Sequence, residues 1–308
     1  MATVPSITLN NGLKMPAFGL GTYGLKGGEG IAAIKKAIDI GYRHLDTAFL
    51  YNNEQEVGEA VRDKIAEGVI SRSDMLVVSK LWCTFHEPER VEYACRKSLE
   101  NLELDYIDLY IMHAPVGFVY HDDETVWPKN ADGTQETNDV DYLETWRAME
   151  KLVDLGLVKS IGLSNFNSEQ VDRVVNESRI KPVSNQVECS PMHNQKKLTA
   201  FCKERDVVLV AYCPLARQQL DARKEVQDIA AKYNKTPAQI CLRYLVELGV
   251  VPIPKSANEE RILQNISIFD FKLSKEDIKA MDSLNTNERI VKFSDAKHAK
   301  YWPFGLEF

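Results

Sequence analysis

Residues 75–112 read MLVVSKLWCTFHEPERVEYACRKSLENLELDYIDLYIM. The apolar runs at 75–80 and 107–112 predict two buried strands. Between them, residues 88–102 place apolar side chains at spacings of three and four, which predicts a helix. A strand, a helix and a second strand in this order are typical of α/β folds with a parallel sheet.

The same alternation continues along the chain in both directions. Six further apolar runs predict strands, at residues 17–21, 43–46, 160–164, 183–188, 207–212 and 250–253. Helical patterns separate them, at residues 30–41, 54–68, 141–156, 168–178, 195–206 and 237–249. Eight strands with helical crossovers predict an α/β fold, the (β/α)8 TIM barrel, for which roughly 250 residues is typical. The remaining residues are expected to form an N-terminal β-hairpin over 6–16, an extra helix near 223–233 and a C-terminal loop. No linker divides the chain, so we expect one domain over residues 1–308.

Composition narrows the classes of function. The chain has 308 residues, of which 44% are hydrophobic and 27% are charged, as in an ordinary globular protein. Its net charge of −7 makes nucleic acid or an anionic membrane an unexpected partner, because both need a basic face. No run approaches the roughly 18 apolar residues of a membrane helix, and residues 1–12 lack the pattern of a signal peptide. Six scattered cysteines without a CxxC pair favour reduced thiols, so we expect a cytoplasmic protein without a metal site. We also expect a monomer.

Two irregular stretches are candidates for covering a ligand pocket. The connection at 114–141 exceeds the roughly 12–15 residues beyond which structureless loops become uncommon. It carries Phe118, Tyr120 and Trp127. The tail from about residue 285 carries five aromatic residues, Phe293, Tyr301, Trp302, Phe304 and Phe308. The alternative is that both stretches only cover the outer surface of the barrel.

Residues 19–24, GLGTYG, match the GxGxxG pattern of dinucleotide-binding Rossmann folds, and Asp46 follows about twenty residues later. The Rossmann pattern needs its third glycine at a helix start, whereas KGGEG follows here and postpones the helix to about residue 29. The chain also supplies too many regular strand–helix units for a separate substrate domain. We therefore interpret the glycines as a barrel loop that lets a ligand approach closely. A Rossmann-type dehydrogenase that uses NAD is the alternative.

Four chemically active residues follow consecutive predicted strands. In GYRHLDTAFLYNNEQEVG, residues 41–58, Asp46 ends a strand and Tyr51 lies in the loop after it. Lys80 ends the next strand, and His113 follows the one after that. Catalytic groups of (β/α)8 barrels come from the C-terminal ends of several strands. A single lysine or histidine there is usually solvated or structural, but four such residues together predict an active site.

These side chains suit proton donation coupled to reduction of a carbonyl group. A free tyrosine has a pKa near 10, and the ammonium of Lys80 is expected to lower the pKa of Tyr51. Asp46 is expected to hold Lys80 in place, because a buried carboxylate needs a partner. His113 is expected to donate a hydrogen bond to the carbonyl oxygen. The hydride requires a cofactor, because no side chain supplies one.

Residues 253–265, IPKSANEERILQN, predict a phosphate-binding segment. Asn258 suits the N-cap of a short helix, and phosphate sites in these barrels use the last two loops and a small helix N-terminus. Lys255 and Arg261 add two cations, which favours NADP over NAD. Tyr212, at the end of the seventh strand, offers a flat face for a nicotinamide ring. Polar groups for the carboxamide of that ring are available from Ser164, Asn165 and Gln186.

Three segments resemble the signatures of the aldo-keto reductase superfamily, at residues 41–58, 152–166 and 250–265. The resemblance covers nearly the whole chain and implies a (β/α)8 barrel that reduces a small-molecule carbonyl substrate with NADPH. It implies that the catalytic residues are Asp46, Tyr51, Lys80 and His113. It implies that NADPH or NADP+ contacts Gly21, Thr22, Tyr23, Asp46, Ser164, Asn165, Gln186, Tyr212, Pro214, Leu215, Lys255, Ser256, Asn258, Arg261, Gln264 and Asn265. It implies that the substrate contacts Tyr23, Tyr51, Trp82, His113, Ala114, Phe118, Trp127 and Trp302.

Departures from the family pattern bear on the substrate. Tyr23 and Ala114 stand where many members have tryptophan, and both positions line the pocket in the family. Two smaller side chains predict a wider cavity and a bulky, steroid-like ketone as substrate. Certain insect members reduce 3-dehydroecdysteroids, which makes such a ketone one candidate. The alternatives are a broad-specificity aldehyde reductase and a non-catalytic NADP-binding or structural protein on the same barrel.

Two further departures concern the cofactor. The loop that begins at residue 212 is shorter than in many mammalian members, which predicts looser clamping of the pyrophosphate and faster release of NADP+. Gln264 stands where an acidic residue often faces the adenine, although an amide can still form hydrogen bonds there.

Overall fold

The computed structural model describes residues 4–306 and 308, so the first three residues of the N-terminal stretch lie outside the described part. The chain begins with an antiparallel hairpin of β1 (Ser6–Thr8) and β2 (Lys14–Pro16). Four strands follow, β3 (Leu20–Gly21), β4 (His44–Asp46), β5 (Leu76–Leu81) and β6 (Leu109–Met112). A short antiparallel pair comes next, β7 (Gly117–Phe118) and β8 (Thr137–Asn138). Four more strands complete the series, β9 (Ile161–Ser164), β10 (Ser184–Glu188), β11 (Val208–Tyr212) and β12 (Val251–Pro252).

The eight central strands are parallel and close into a barrel. Their spatial order is β3, β4, β5, β6, β9, β10, β11 and β12, which is the order of the chain. The N–H of Gly19 donates to the carbonyl of Pro252 at 3.1 Å, and that of Gly21 donates to Pro254 at 3.2 Å. These bonds join the first strand to the last. The predicted (β/α)8 barrel is confirmed, and the Rossmann alternative, which needs an open sheet, is excluded.

With one exception, the helices lie where the apolar spacing or a capping residue predicts them. They are α1 (Gly27–Ile40), α2 (Glu54–Ala66), α3 (Pro88–Leu102), α4 (Tyr142–Asp154), α5 (Ser168–Glu177), α6 (Lys196–Lys203), α7 (Lys224–Tyr233), α8 (Pro237–Glu247), α9 (Glu259–Ile266) and α10 (Lys275–Asp282). Helix α1 begins two residues before the predicted start. Helix α10 was missed, although Ser274 and Asp277 form the reciprocal side-chain caps that mark a helix start. Within the described residues, every helix is too short or too polar to cross a bilayer.

Alternate residues of the strands face the barrel interior, and this alternation positions the site. In β5, Leu76 and Val78 belong to the apolar cluster inside the barrel, whereas Val77 belongs to the layer between strands and helices. Lys80 therefore continues the inward row at the C-terminal end of its strand. The same alternation places inward, at or next to the ends of their strands, Asp46, His113, Gln186 and Tyr212.

Candidate active site

A buried ion pair lies at the C-terminal end of the barrel. The Lys80 ammonium is fully buried, and its Nζ lies 2.6 Å from Oδ1 of Asp46. It also donates to the carbonyl of Thr47 at 2.8 Å and to the hydroxyl of Tyr51 at 3.4 Å. The other Asp46 oxygen accepts a bond of 2.7 Å from the side-chain amide of Gln186. The costly strand-end carboxylate therefore has two partners, as its position in the sequence requires.

The pKa of Tyr51 differs from the sequence prediction of a lowered value. Withdrawal of the phenol from water disfavours the phenolate and raises the pKa of Tyr51 well above 10, and the negative charge of Asp46 adds to the increase. The nearby Lys80 charge does not reverse this, because Asp46 already compensates it at 2.6 Å. Tyr51 is therefore a neutral phenol at neutral pH, which is the form that can donate a proton.

His113 is held as a neutral imidazole beside Tyr51. Burial and the positive charge of Lys80 lower the pKa of His113 well below 6.5. Its ring lies 5.0 Å from that of Trp82 and 5.7 Å from that of Tyr51, both edge to face. A neutral ring carries one N–H and can donate it to a carbonyl oxygen. The site therefore presents two hydrogen-bond donors side by side.

Asn165 ties together the backbone at His113 and the ring of Tyr212. Its amide donates to the carbonyl of His113 at 2.9 Å, and its Oδ1 accepts from the Tyr212 hydroxyl at 2.8 Å. The backbone of Asn165 has a φ of 62°, in the left-handed region that asparagine tolerates better than most residues. The motif at 164–166 thus has a structural role beside its expected role toward a cofactor.

A cavity of about 1360 Å³ opens above these residues, and we call it the barrel-mouth cavity. Tyr51, His113 and Asp46 line it on the side of β4 and β6. Lys255 and Arg261 line it on the side of β12 and α9. One continuous space therefore joins Tyr51 and His113 to the two cations that the sequence predicts as a phosphate site.

Aromatic side chains surround the part of the barrel-mouth cavity next to the two donors. The Tyr23 ring is 68% exposed and lies 5.1 Å from that of Tyr51, edge to face. The Trp82 ring lies 4.7 Å from that of Trp127 and 5.8 Å from that of Phe118. The indole N–H of Trp82 donates to the carbonyl of residue 126 at 2.7 Å, which orients the ring. These rings form an apolar wall beside the two donors.

All of the residues expected to contact cofactor or substrate line this cavity except Ser164, Asn258, Ala114 and Trp302. Ser164 is buried, and its hydroxyl accepts a bond of 3.2 Å from the Asn165 amide. Asn258 points its side chain at its own helix and accepts a bond of 2.9 Å from the N–H of Arg261. It is the N-cap of α9, as predicted.

Ala114 and Trp302 correct the predicted substrate contacts. Ala114 is buried in the core and does not line the cavity. The Trp302 ring packs 5.7 Å from that of Phe304 and does not line the cavity. Of the tail residues that the structure describes, only 290–296 line the cavity.

Several residues that line the cavity were not found from the sequence. Gln135 reaches it from the long connection, Arg217 from the loop after β11, and Ile290 begins the tail segment. Phe118, Trp127 and Phe293 line it as well, so both irregular stretches cover this cavity. Aromatic content was the available signal, and it identified the stretches but not their polar members.

Comparison with known proteins shows which family the chain belongs to. Residues 17–286 match the aldo/keto reductase family. The chain belongs to the aldo-keto reductase family. It is 44% identical to prostaglandin F synthase 1 of Bos taurus over 98% of both chains. It is 45% identical to aldo-keto reductase family 1 member A1-A of Danio rerio, over 97% of this chain and 98% of the relative. The solved aldose reductase of Schistosoma japonicum is 40% identical, with a TM-score of 0.95 over 99% of this chain and 100% of that one.

Membership of this family indicates the general class of reaction. Aldo-keto reductases are oxidoreductases that act on small-molecule carbonyl compounds, and this aldo-keto reductase has the corresponding barrel along its whole described length. The two hydrogen-bond donors, Tyr51 and His113, both line the barrel-mouth cavity of this barrel.

Proposed function

We propose that this aldo-keto reductase transfers hydride from NADPH to an aldehyde or ketone, with Tyr51 as the proton donor. The observation that carries the proposal is the Tyr51 hydroxyl, 3.4 Å from an ammonium that a buried carboxylate holds at 2.6 Å. We propose that residues 1–308 act as one domain. The expectation of a cytoplasmic monomer rests on the sequence and stays a prediction.

The proposed roles follow from the protonation states. Tyr51, a neutral phenol, gives its proton to the carbonyl oxygen as negative charge develops there. Lys80 then stabilises the phenolate that this transfer leaves, because its ammonium is the nearest cation. His113 orients the carbonyl through its single N–H. Asp46 and Gln186 keep Lys80 in place and do not exchange a proton themselves.

The barrel-mouth cavity fits NADPH, which supplies the hydride when bound. Within the described residues, the side chains of Lys255 and Arg261 have no ionic partner, so both cations are available for a phosphate. The other residues proposed to contact NADPH are those of the expected contacts that line the cavity. They include Tyr212, proposed to contact the nicotinamide, and Gln264, proposed to contact the adenine. Gln186 already donates to Asp46, which leaves its amide oxygen for a cofactor donor.

Cofactor preference is expected to depend on the two free cations. Changing Lys255→Ala and Arg261→Ala together should raise KM for NADPH about 100-fold, because two charge-assisted bonds to the 2′-phosphate are lost. KM for NADH should change less than about threefold, since NADH lacks that phosphate. Both KM values are measured from the oxidation of NADPH or NADH with 4-nitrobenzaldehyde as the carbonyl substrate.

A matched control for this change is Lys36→Ala. Lys36 pairs with Glu259 in the first turn of α9 at 3.2 Å but does not line the cavity. The Lys36→Ala variant loses a positive charge near the same helix, and its KM values for NADPH and NADH should stay unchanged. Equal losses with NADPH and NADH in the double variant would contradict a 2′-phosphate site and favour an NAD enzyme.

We propose a bulky ketone, steroid-like in size, as the preferred substrate. Support comes from the exposed Tyr23 and from the apolar wall of Trp82, Phe118 and Trp127. None of the relatives named here specifies an ecdysteroid, so the 3-dehydroecdysteroid stays a prediction from sequence. The broad-specificity aldehyde reductase is the competing proposal, and a relative named for prostaglandin F synthesis shows that the family is not restricted to small aldehydes.

Substrate size can be tested with one tryptophan at the wall. Trp127→Ala should lower kcat/KM for a steroid ketone about tenfold, because a large apolar contact is lost, and lower that for 4-nitrobenzaldehyde less than threefold. Trp302→Ala removes an indole that does not line the cavity. It should leave kcat/KM unchanged for both the steroid ketone and 4-nitrobenzaldehyde. A wild-type preference for the aldehyde, with equal losses for both substrates in Trp127→Ala, would identify a broad aldehyde reductase.

A further inference from the structure

Glu188 binds the C-terminal tail at the barrel mouth. It is the last residue of β10 and its side chain is 1% exposed. One carboxylate oxygen accepts the N–H of Ile290 and the other accepts that of Val291, both at 2.7 Å. A buried carboxylate with two such bonds is a strong contact, because each bond is charge-assisted. None of the family signatures noted above includes this residue.

The tail needs such an anchor. Between the end of α10 and residue 302, its regular structure within the described residues is one 3₁₀ turn at Ser294–Ala296. A segment without helix or strand keeps its position only through specific contacts that offset the entropy of ordering it. The bonds to Glu188 come immediately before residues 292–296, which complete the lining of the barrel-mouth cavity.

A second contact holds the far end of the same segment. Lys129 pairs with Asp295 at 2.6 Å, and the N–H of Gln135 donates to the carbonyl of Asp295 at 2.9 Å. The two charged side chains are 38% and 66% exposed, so their pairing contributes little. The buried contact at Glu188 is therefore stronger than the pair of Lys129 and Asp295.

We propose that Glu188 is a positioning residue that fixes the tail over the barrel-mouth cavity and thereby sets the affinity for the carbonyl substrate. The proposal rests on the proposed function, because it assigns the substrate to the space beneath the tail. Glu188 does not touch the reacting atoms. It acts through Ile290 and Val291, whose backbone leads directly into the cavity wall.

Glu188→Gln tests this with almost no change of volume. The amide nitrogen is a donor and would face a backbone N–H, so one of the two bonds is lost and replaced by a repulsive contact. KM for the carbonyl substrate should rise about tenfold, whereas kcat at saturation should change less than threefold. Glu188→Asp keeps both acceptor oxygens on a shorter side chain and should restore part of the affinity.

Glu150→Gln is the matched control. Glu150 is also buried, and its Oε1 accepts the N–H of Ile180 at 2.7 Å, in the segment that leads into the N-terminal end of β10. This variant loses the same kind of bond away from the barrel mouth. It should lower the melting temperature as Glu188→Gln does but leave KM for the carbonyl unchanged.

Limited trypsin digestion reports on the tail without any turnover. Cleavage after Arg289, Lys292 and Lys297 should be at least five times faster in Glu188→Gln than in wild type, and unchanged in Glu150→Gln. If Glu188→Gln does not fold, amide exchange of the wild type replaces it, and Ile290 and Val291 should exchange more slowly than Lys292. Fast exchange at both positions would overturn the proposal.

The outcomes separate this proposal from the proposed function. Faster cleavage together with a raised carbonyl KM supports the positioning role. Unchanged cleavage, or faster cleavage with an unchanged KM, overturns it even when the wild type reduces carbonyls normally. A wild type that binds NADPH but reduces no carbonyl probe overturns the proposed function, and with it the substrate part of this proposal, whatever the digestion shows.

Discussion

Changing Tyr51→Phe is expected to lower kcat for carbonyl reduction about 1000-fold and to leave NADPH binding unchanged. General acid catalysis by one side chain contributes on the order of 10²–10⁴ in rate. The substitution removes only the hydroxyl. The ring keeps its edge-to-face contacts with Tyr23 at 5.1 Å and with His113 at 5.7 Å, and the Lys80 Nζ remains 4.9 Å from the ring centroid.

The measurement is single-turnover oxidation of NADPH with 4-nitrobenzaldehyde, together with titration of NADPH by tryptophan fluorescence. Tyr23→Phe is the control, because Tyr23 is a phenol of the same cavity wall that forms no hydrogen bond to Lys80 among the described side chains. Its kcat should change less than about threefold. A Tyr51→Phe enzyme that retains more than a tenth of wild-type kcat would remove Tyr51 as the acid.

The second large effect is expected for Lys80→Met, in both stability and rate. Methionine has a similar length but no charge, so Asp46 stays buried with only the Gln186 amide as a side-chain partner. Removing one member of a buried ion pair costs about 3–5 kcal/mol of unfolding free energy, since the other charge is left uncompensated. The phenolate left by proton transfer also loses its nearest cation, so kcat should fall about 1000-fold.

A double variant distinguishes the two effects of Lys80. Asp46→Asn with Lys80→Met removes both charges, and urea unfolding should show that most of the lost stability returns, because no buried charge is left alone. Activity should stay low, since the ammonium is still missing. Recovery of both properties would contradict the role of Lys80 in proton transfer.

Lys64→Met controls for the loss of a poorly exposed lysine. Lys64 is nearly buried and pairs with Asp39 at 2.8 Å and with Glu67 at 2.6 Å, but both of these carboxylates are largely exposed. Solvated carboxylates tolerate the loss of a partner, so the unfolding free energy should fall by less than about 1 kcal/mol. An equal loss of stability in Lys64→Met and Lys80→Met would contradict the special cost of leaving Asp46 unpaired.

Local patterns in the sequence were sufficient for the regular elements. The helix at 88–102 has the predicted bounds, because its apolar spacing and its terminal residues are local properties. Helix α10 shows the limit of the same reasoning, since its apolar face is short and only its caps mark it. The four proposed catalytic residues could also be found from the sequence, because each lies at a strand end, or in the loop that follows it, that apolar runs locate.

Predictions that depend on distant neighbours were less accurate. The lowered pKa expected for Tyr51 assumed a free Lys80 charge, whereas Asp46 compensates that charge and burial raises the pKa. Ala114 and Trp302 were placed at the substrate by analogy with the family. Their actual positions depend on how the core and the tail pack.

The amino-acid sequence by itself determined the eight strands, the barrel and the four catalytic candidates, because strand periodicity, helix spacing and strand-end positions are properties of short segments. Only the tertiary structure decided which charges cancel, how far the cavity extends and that Glu188 holds the tail at Ile290 and Val291. The physical reason is that these contacts join residues about 30 to 140 positions apart, and no local pattern encodes the burial and electrostatic balance of such a pair.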